Sequence, residues 1–213
     1  IAEDGTPMID LRWRIEEGAP ATINRIIILG NDVTHESVIR SAIVILPGAV
    51  FNRELLIRSY QNISNLGFFQ PLPPPDVAPT ENGQDVDITF TVVEKRTGNV
   101  NFGASLGQGT GLGDFLGLEE PNLFGRGKRG RFQWQFGKNV NDFNVSYTDP
   151  AIQGSRVSGT LALFNSRQRY IVGDLGRREQ KGGSVQVGFP VFGSRYTRLF
   201  TSYSLMSISY IGG

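Results

Sequence analysis

The sequence predicts two unlike parts. The first is an α+β module with the order β-α-α-β-β. The second is a set of all-β antiparallel strands of a transmembrane barrel, about seven of them and too few to close. Three observations carry this. After Gly98 nearly every segment alternates apolar and polar residues in runs of about ten, as strands between lipid and a watery lumen must. Before Gly98, β-branched runs flank two segments with helical periodicity. Finally, 27 Gly and 14 Phe among 213 residues suit tight turns and aromatic girdles, while no apolar run approaches the ~20 residues of a spanning helix.

Composition sets further bounds. A net charge of +1 gives no global basic field, so nucleic acid is not an expected partner. Cysteine is absent, which removes disulfides and thiolate metal sites and leaves the redox compartment open. No signal peptide is visible, and Ile1 reads as starting in mid-domain, so the chain is expected to be a piece of a longer protein.

Residues 8–15 alternate after Pro7 and predict a strand with no partner upstream, ended by Glu16-Glu17-Gly18. Residues 1–19 are therefore assigned to a preceding module, residues 20–96 to the α+β module and residues 97–213 to the barrel. Thr22–Leu29 is β-branched and predicts a strand, turned at Gly30-Asn31-Asp32. Thr34 is placed to cap a helix, with Glu36 in its first turn. Val38, Ile39, Ala42 and Ile43 share a face until Pro47-Gly48. Asn52 caps a second helix, with Glu54 in its first turn; Leu55, Leu56, Ser59, Ile63 and Leu66 share a face, and Gly67 ends it. Phe68-Phe69 opens an extended stretch, and residues 85–94 predict a strand with Val86, Ile88, Phe90 and Val92 on one face.

This order resembles a POTRA domain, the polypeptide-transport-associated module. The likeness rests on Ile28-Leu29-Gly30-Asn31, Val38-Ile39-Arg40, Gly48, Phe51-Asn52 and Leu66-Gly67-Phe68-Phe69. The resemblance implies capture of an extended client on the edge of the middle strand. Here Pro71, Pro73, Pro74, Pro75 and Pro79 occupy that region, and proline has no N–H to offer, so strand addition is not expected.

Seven strands are predicted after the module, at residues 99–107, 112–120, 129–138, 143–148, 156–164, 184–189 and 198–210, with a bulge at Leu205-Met206. In the third, Phe132, Trp134 and Phe136 oppose Arg131, Gln133 and Gln135; in the fourth, Phe143, Val145 and Tyr147 oppose Asn144, Ser146 and Thr148. The six apolar residues Phe132, Trp134, Phe136, Phe143, Val145 and Tyr147 are predicted to face lipid. Arg131 and Arg156 fall on polar faces, which spares the roughly 2–4 kcal/mol of a midplane Arg in lipid. With the first strand running outward, the turns after Pro121, Pro150 and Pro190 are short and periplasmic, and the charged connection 165–183 is long and external. The strands completing the barrel are expected beyond Gly213.

A POTRA-like module followed at once by barrel strands resembles the BamA-type outer-membrane assembly factors. Thr97-Gly98-Asn99-Val100-Asn101-Phe102-Gly103 looks like their first barrel strand, and Glu120-Pro121-Asn122-Leu123-Phe124-Gly125-Arg126-Gly127 like their N-[FWL]-x-G-x-G turn; Thr148-Asp149-Pro150 and Gly188-Phe189-Pro190 recur at later strand ends. The resemblance implies a Gram-negative outer-membrane location, with the POTRA domain in the periplasm. It implies insertion of other barrels without enzyme chemistry, nucleotide or cofactor. Partners would be unfolded outer-membrane proteins, accessory outer-membrane lipoproteins and the bilayer. The client strand would pair with Asn99, Val100, Asn101, Phe102, Gly103, Ala104, Ser105, Leu106 and Gly107, where Gly103 and Gly107 would weaken the native seam. A two-partner secretion transporter, which passes an exoprotein through a POTRA-barrel pore, is the alternative.

Other signals carry less. Residues 125–130 fit G-x-G-x-x-G, but a strand follows rather than a helix, so they read as a basic turn. His35 is the sole histidine and reads as a surface residue. Asp149 before Pro150 is turn chemistry, and the Asn62 and Asn144 glycosylation patterns lie in a helix and a strand.

Overall fold

The computed structural model describes residues 11–14, 19–107, 111–169, 176–192 and 197–211. The N-terminal module has the sheet order β1-β3-β2. β1 (Thr22–Leu29) runs parallel to the central β3 (Asp85–Thr91), and β2 (Asp76–Pro79) runs antiparallel to it. Helices α1 (Glu36–Ala42) and α2 (Arg53–Asn65) supply the crossover and cover the sheet. Ile23, Ile39, Ile63, Ile88, Phe90 and Val92 are all at most 1% exposed and form one core. Each such side chain stabilises the fold by roughly 1.5–3 kcal/mol through burial.

Asn52 caps α2 as its sequence predicts, accepting a bond from the Leu55 N–H at 3.1 Å. Leu55 itself is exposed rather than on the buried face of Leu56, Ser59 and Ile63. α1 stops at Ala42, earlier than Pro47-Gly48 suggested, because β-branched Ile43 is already extended. Ser59 makes that exit possible: its buried hydroxyl accepts from the Val44 N–H at 3.0 Å and donates to the Leu55 carbonyl at 2.8 Å. Gly30, at φ +87°, meets β3's end so closely that a Cβ would lie 2.1 Å from the Val92 carbonyl oxygen.

The second part is a meander of seven antiparallel strands. These are β4 (Asn99–Gly107), β5 (Gly111–Leu123), β6 (Lys128–Gly137), β7 (Val140–Asp149), β8 (Ser158–Arg169), β9 (Arg177–Pro190) and β10 (Arg198–Ile211), each bonded to its sequence neighbours. The fold class read from the sequence, an α+β module followed by an incomplete antiparallel barrel, is the one observed.

Details differ from the sequence reading. Residues 11–14, the described part of the predicted strand at 8–15, form no strand, and Leu11 and Trp13 are exposed; a strand needs a ladder partner, and no described strand pairs with them. The connection predicted at 165–183 is mostly strand, since β8 runs to Arg169 and β9 starts at Arg177. Its charges pair across the ladder, as in Arg167–Glu179 at 2.8 Å, so they extend the sheet instead of ending it. Arg156 precedes β8 rather than lying on its polar face. Leu205-Met206 holds continuous register with Gly183 and Gly182, so no bulge occurs there; the irregularity falls between Glu120 and Leu123, around Pro121, which has no N–H for the ladder.

Candidate functional site

Register fixes which side chains share a face. Val100, Leu118, Phe132, Val145 and Leu163 stand opposite one another in one row, and Phe102, Leu116, Trp134 and Phe143 in the next. Tyr147, Leu161, Val185 and Tyr203 form a third row, and Phe136 continues β6 on the same face. The six residues predicted to face lipid thus lie together on one apolar face. Phe132 and Phe143 pack edge to face at 5.3 Å, and Trp134 satisfies its indole N–H on Asn141 Oδ1 at 2.9 Å. Val100, Phe102, Leu161 and Tyr203 are 49–83% exposed, so this apolar face has no protein cover among the described residues.

The opposite face is polar and internally bonded. Arg131 donates to Glu119 at 3.0 Å, Gln135 to Ser105 at 2.7 Å, and Asp142 accepts from Ser166 at 2.6 Å and Gln168 at 2.7 Å.

All nine residues of the predicted pairing edge, Asn99 to Gly107, form β4, which lies at one end of the sheet and is bonded only to β5. One side of its backbone ladder is therefore unpaired among the described residues. Gly103 has a specific neighbour: a Cβ there would fall 2.7 Å from the Phe115 ring, so the glycine makes room for an aromatic ring opposite it on β5. Gly107 stands opposite Gly111.

The two parts meet in a hydrogen-bonded junction at the foot of β4 and β5. Asn122 is buried there. It donates from Nδ2 to Thr34 Oγ1 at 2.9 Å, and its Oδ1 accepts from the Gly127 N–H at 2.7 Å. The His35 N–H donates to the Gly125 carbonyl at 2.8 Å. Gly125 has φ +69°, and a Cβ would stand 2.0 Å from the Val33 carbonyl oxygen, so only glycine admits this approach. Glu94, at the end of the module, accepts from the Val33 N–H at 2.8 Å and the Thr34 N–H at 2.5 Å. Burial opposes ionisation of Glu94, but bonds from the Thr34 hydroxyl and the Thr34 and Val33 N–H groups outweigh it and hold the carboxyl below its usual range. Glu120 ties in the start of β4, accepting from the Thr97 hydroxyl and from the Asn122 N–H at 2.9 Å.

Thr34, read from the sequence as a helix cap, caps nothing: α1 is preceded by His35, whose side chain makes no capping bond. Thr34 is 2% exposed and bridges Asn122 to Glu94. His35 is on the surface, as its sequence position suggested. Sequence reasoning missed this junction because Thr34 and Asn122 are 88 positions apart and each has an ordinary local role in a cap or a turn.

Comparison with known families gives residues 21–95 as POTRA, "Surface antigen variable number repeat", and residues 122–211 as the Omp85 superfamily domain. The chain is a POTRA domain joined to strands of an Omp85 barrel. Among curated relatives, "Outer membrane protein assembly factor BamA" of Neisseria meningitidis serogroup B is 29% identical over 153 residues, 72% of this chain and 19% of that protein. The protein of the same name from Nitratidesulfovibrio vulgaris is 26% identical over 184 residues, 86% of this chain and 23% of its own length. The chain thus spans about a fifth of the curated relatives it matches. The crystal structure of BamA from Haemophilus ducreyi lacking POTRA domains 1–3 superposes with a TM-score of 0.76 at 24% identity, covering 90% of this chain and 36% of that one. CdiB from Acinetobacter baumannii shares the fold less closely, with a TM-score of 0.55 at 14% identity, covering 91% of this chain and 39% of that one.

Proposed function

We propose that this chain belongs to a factor that folds β-barrel proteins and inserts them into the Gram-negative outer membrane, with β4 as the strand that templates the client. In this reading the POTRA domain lies in the periplasm and the apolar face of Phe132, Trp134, Phe136, Phe143, Val145 and Tyr147 meets lipid. Unfolded outer-membrane proteins are the clients, accessory lipoproteins the partners, and no nucleotide, cofactor or enzyme chemistry is used. The assembly-factor relatives support the class of function. The observation that supports templating is that β4 is the first strand of the sheet and bonds to β5 on one side only, so whatever strand closes the barrel must meet its other side as a seam. An unpaired edge recruits another strand through backbone hydrogen bonds, which are indifferent to the client's side chains.

A proline scan of β4 in the full-length protein, reconstituted in liposomes, tests this. Alternate residues of an antiparallel strand turn their N–H groups to opposite sides. Proline in one alternating set should break β4 from β5. In the other set it removes only outward donors, so the barrel stays heat-modifiable on gels while client insertion slows. Insertion at the parental rate in that second set would refute templating and favour a secretion pore.

A further inference from the structure

Below the polar face of the sheet, a cleft of about 740 Å³ separates the α1–α2 side of the POTRA domain from the ends of β6, β7 and β8. Binding clefts fall in the range of about 300–1,000 Å³. Arg126, Lys128, Arg129 and Arg198 line it, against the single carboxylate of Asp149.

That carboxylate is already committed to Lys128 at 2.8 Å. Arg129 reaches Glu119 only at 3.7 Å, while Arg131 holds the same carboxylate at 3.0 Å. Arg198 donates to two neutral oxygens, the Arg156 carbonyl at 3.0 Å and Ser158 Oγ at 3.2 Å, which orient the guanidinium without neutralising it. Arg126 is exposed and has no acidic partner among the described residues. Positive charge is therefore concentrated here in a chain whose net charge is only +1. The facing wall offers the exposed polar side chains of Ser37, Ser41 and Asn65.

We propose that this cleft binds an extended acidic peptide segment. Guanidinium groups bind carboxylates through paired N–H donors, and hydroxyl and amide side chains suit a peptide backbone. Lys128, over the Tyr147 ring, has the parity of the apolar face, but the cations left for a ligand do not. Arg129 shares its row with Thr148 and Thr160, and Ser158, which Arg198 contacts, lies on that same polar face. Lipid would contact the opposite, apolar face.

The test uses the full-length protein in detergent and fluorescein-labelled hexaglutamate, with hexaglutamine as control, read by fluorescence anisotropy. Hexaglutamate is expected to bind, more weakly as salt rises, and hexaglutamine not to bind. The R126Q/R198Q variant should weaken binding by at least about tenfold, while R126K, which keeps the charge, should retain most of it. Heat-modifiability on gels reports whether each variant is folded. Equal affinity for both peptides, or no effect of R126Q/R198Q in folded protein, overturns the proposal. So does phosphatidylglycerol binding through these arginines while hexaglutamate fails. None of these substitutions lies in β4, so failure here leaves strand templating standing, and the reverse holds too.

Discussion

Removing the Asn122 side chain should undock the β5–β6 turn from the POTRA domain. Asn122→Ala deletes the bond to Thr34 Oγ1 at 2.9 Å and the bond from the Gly127 N–H at 2.7 Å. A bond whose partner stays satisfied contributes about 1 kcal/mol net, whereas stranding a buried partner costs about 1–3 kcal/mol. Thr34 keeps Glu94, so the stranding cost falls on Gly127, and the sum is about 2–4 kcal/mol. At about 1.4 kcal/mol per decade this raises local opening by roughly 30- to 700-fold. Hydrogen exchange by mass spectrometry on the full-length protein reads it directly, in peptides spanning residues 31–38 and 122–130. Exchange should rise in both together and stay unchanged in α2. Thr34→Val removes the other half of the same bond, so the double variant should cost clearly less than the two single costs combined. A change under about threefold in either peptide, or full additivity, would show that the Asn122–Thr34 contact does not hold the two parts together.

Further expectations follow from the same geometry. Gly125→Ala puts a methyl group 2.0 Å from the Val33 carbonyl oxygen, so it should open the junction more than Asn122→Ala does by the same exchange readout. Gly30→Ala, with its Cβ 2.1 Å from the Val92 carbonyl oxygen at φ +87°, should destabilise the POTRA domain itself by about 2–5 kcal/mol, seen as faster exchange in β1 and β3. Glu94 has a lowered folded pKa, so its contribution is complete above the ordinary glutamate value of about 4.3 and is lost as pH falls through the lower folded value. Protection of residues 31–38, corrected for intrinsic exchange, should therefore fall on strong acidification, and Glu94→Gln should abolish that dependence. On β2, the Thr80 N–H to Asp85 carbonyl bond sets the ladder phase, which turns the backbone groups of Val77 and Pro79 toward the open edge. Pro79→Val should restore an outward donor and raise self-association in analytical ultracentrifugation, leaving the POTRA core unchanged.

Much of the fold was legible because local rules and burial agreed. The β-branched run of Thr22–Leu29 became β1 with those bounds, Asn52 capped α2, and alternation alone located seven strands and grouped Phe132, Trp134, Phe136, Phe143, Val145 and Tyr147 on one face. A period of two specifies a face wherever one side meets an apolar phase. Strand ends were less legible, because Arg167 and Glu179 look like loop residues until their cross-strand pairing is known. Ser59 was readable as a face residue, but its service to the Val44 N–H depends on where α1 ends. The junction was illegible for a deeper reason. Thr34, Glu94 and Asn122 satisfy one another across the two parts, and nothing local distinguishes them from a cap, a strand end and a turn. The edge position of β4 follows from strand order, whereas its role as a template came from family resemblance.

The most direct test of that role is site-directed crosslinking. Single cysteines along Asn99–Gly107, and at positions 133 and 142 on the polar face, in a cysteine-free background of the full-length protein would be paired with cysteines in the terminal strand of a stalled client. Strand templating predicts disulfides in one fixed register, with efficiency alternating along β4 as side chains alternate faces. Crosslinks without register, or confined to polar-face positions such as Gln133 and Asp142 while β4 forms none, would contradict it and point to passage through a pore.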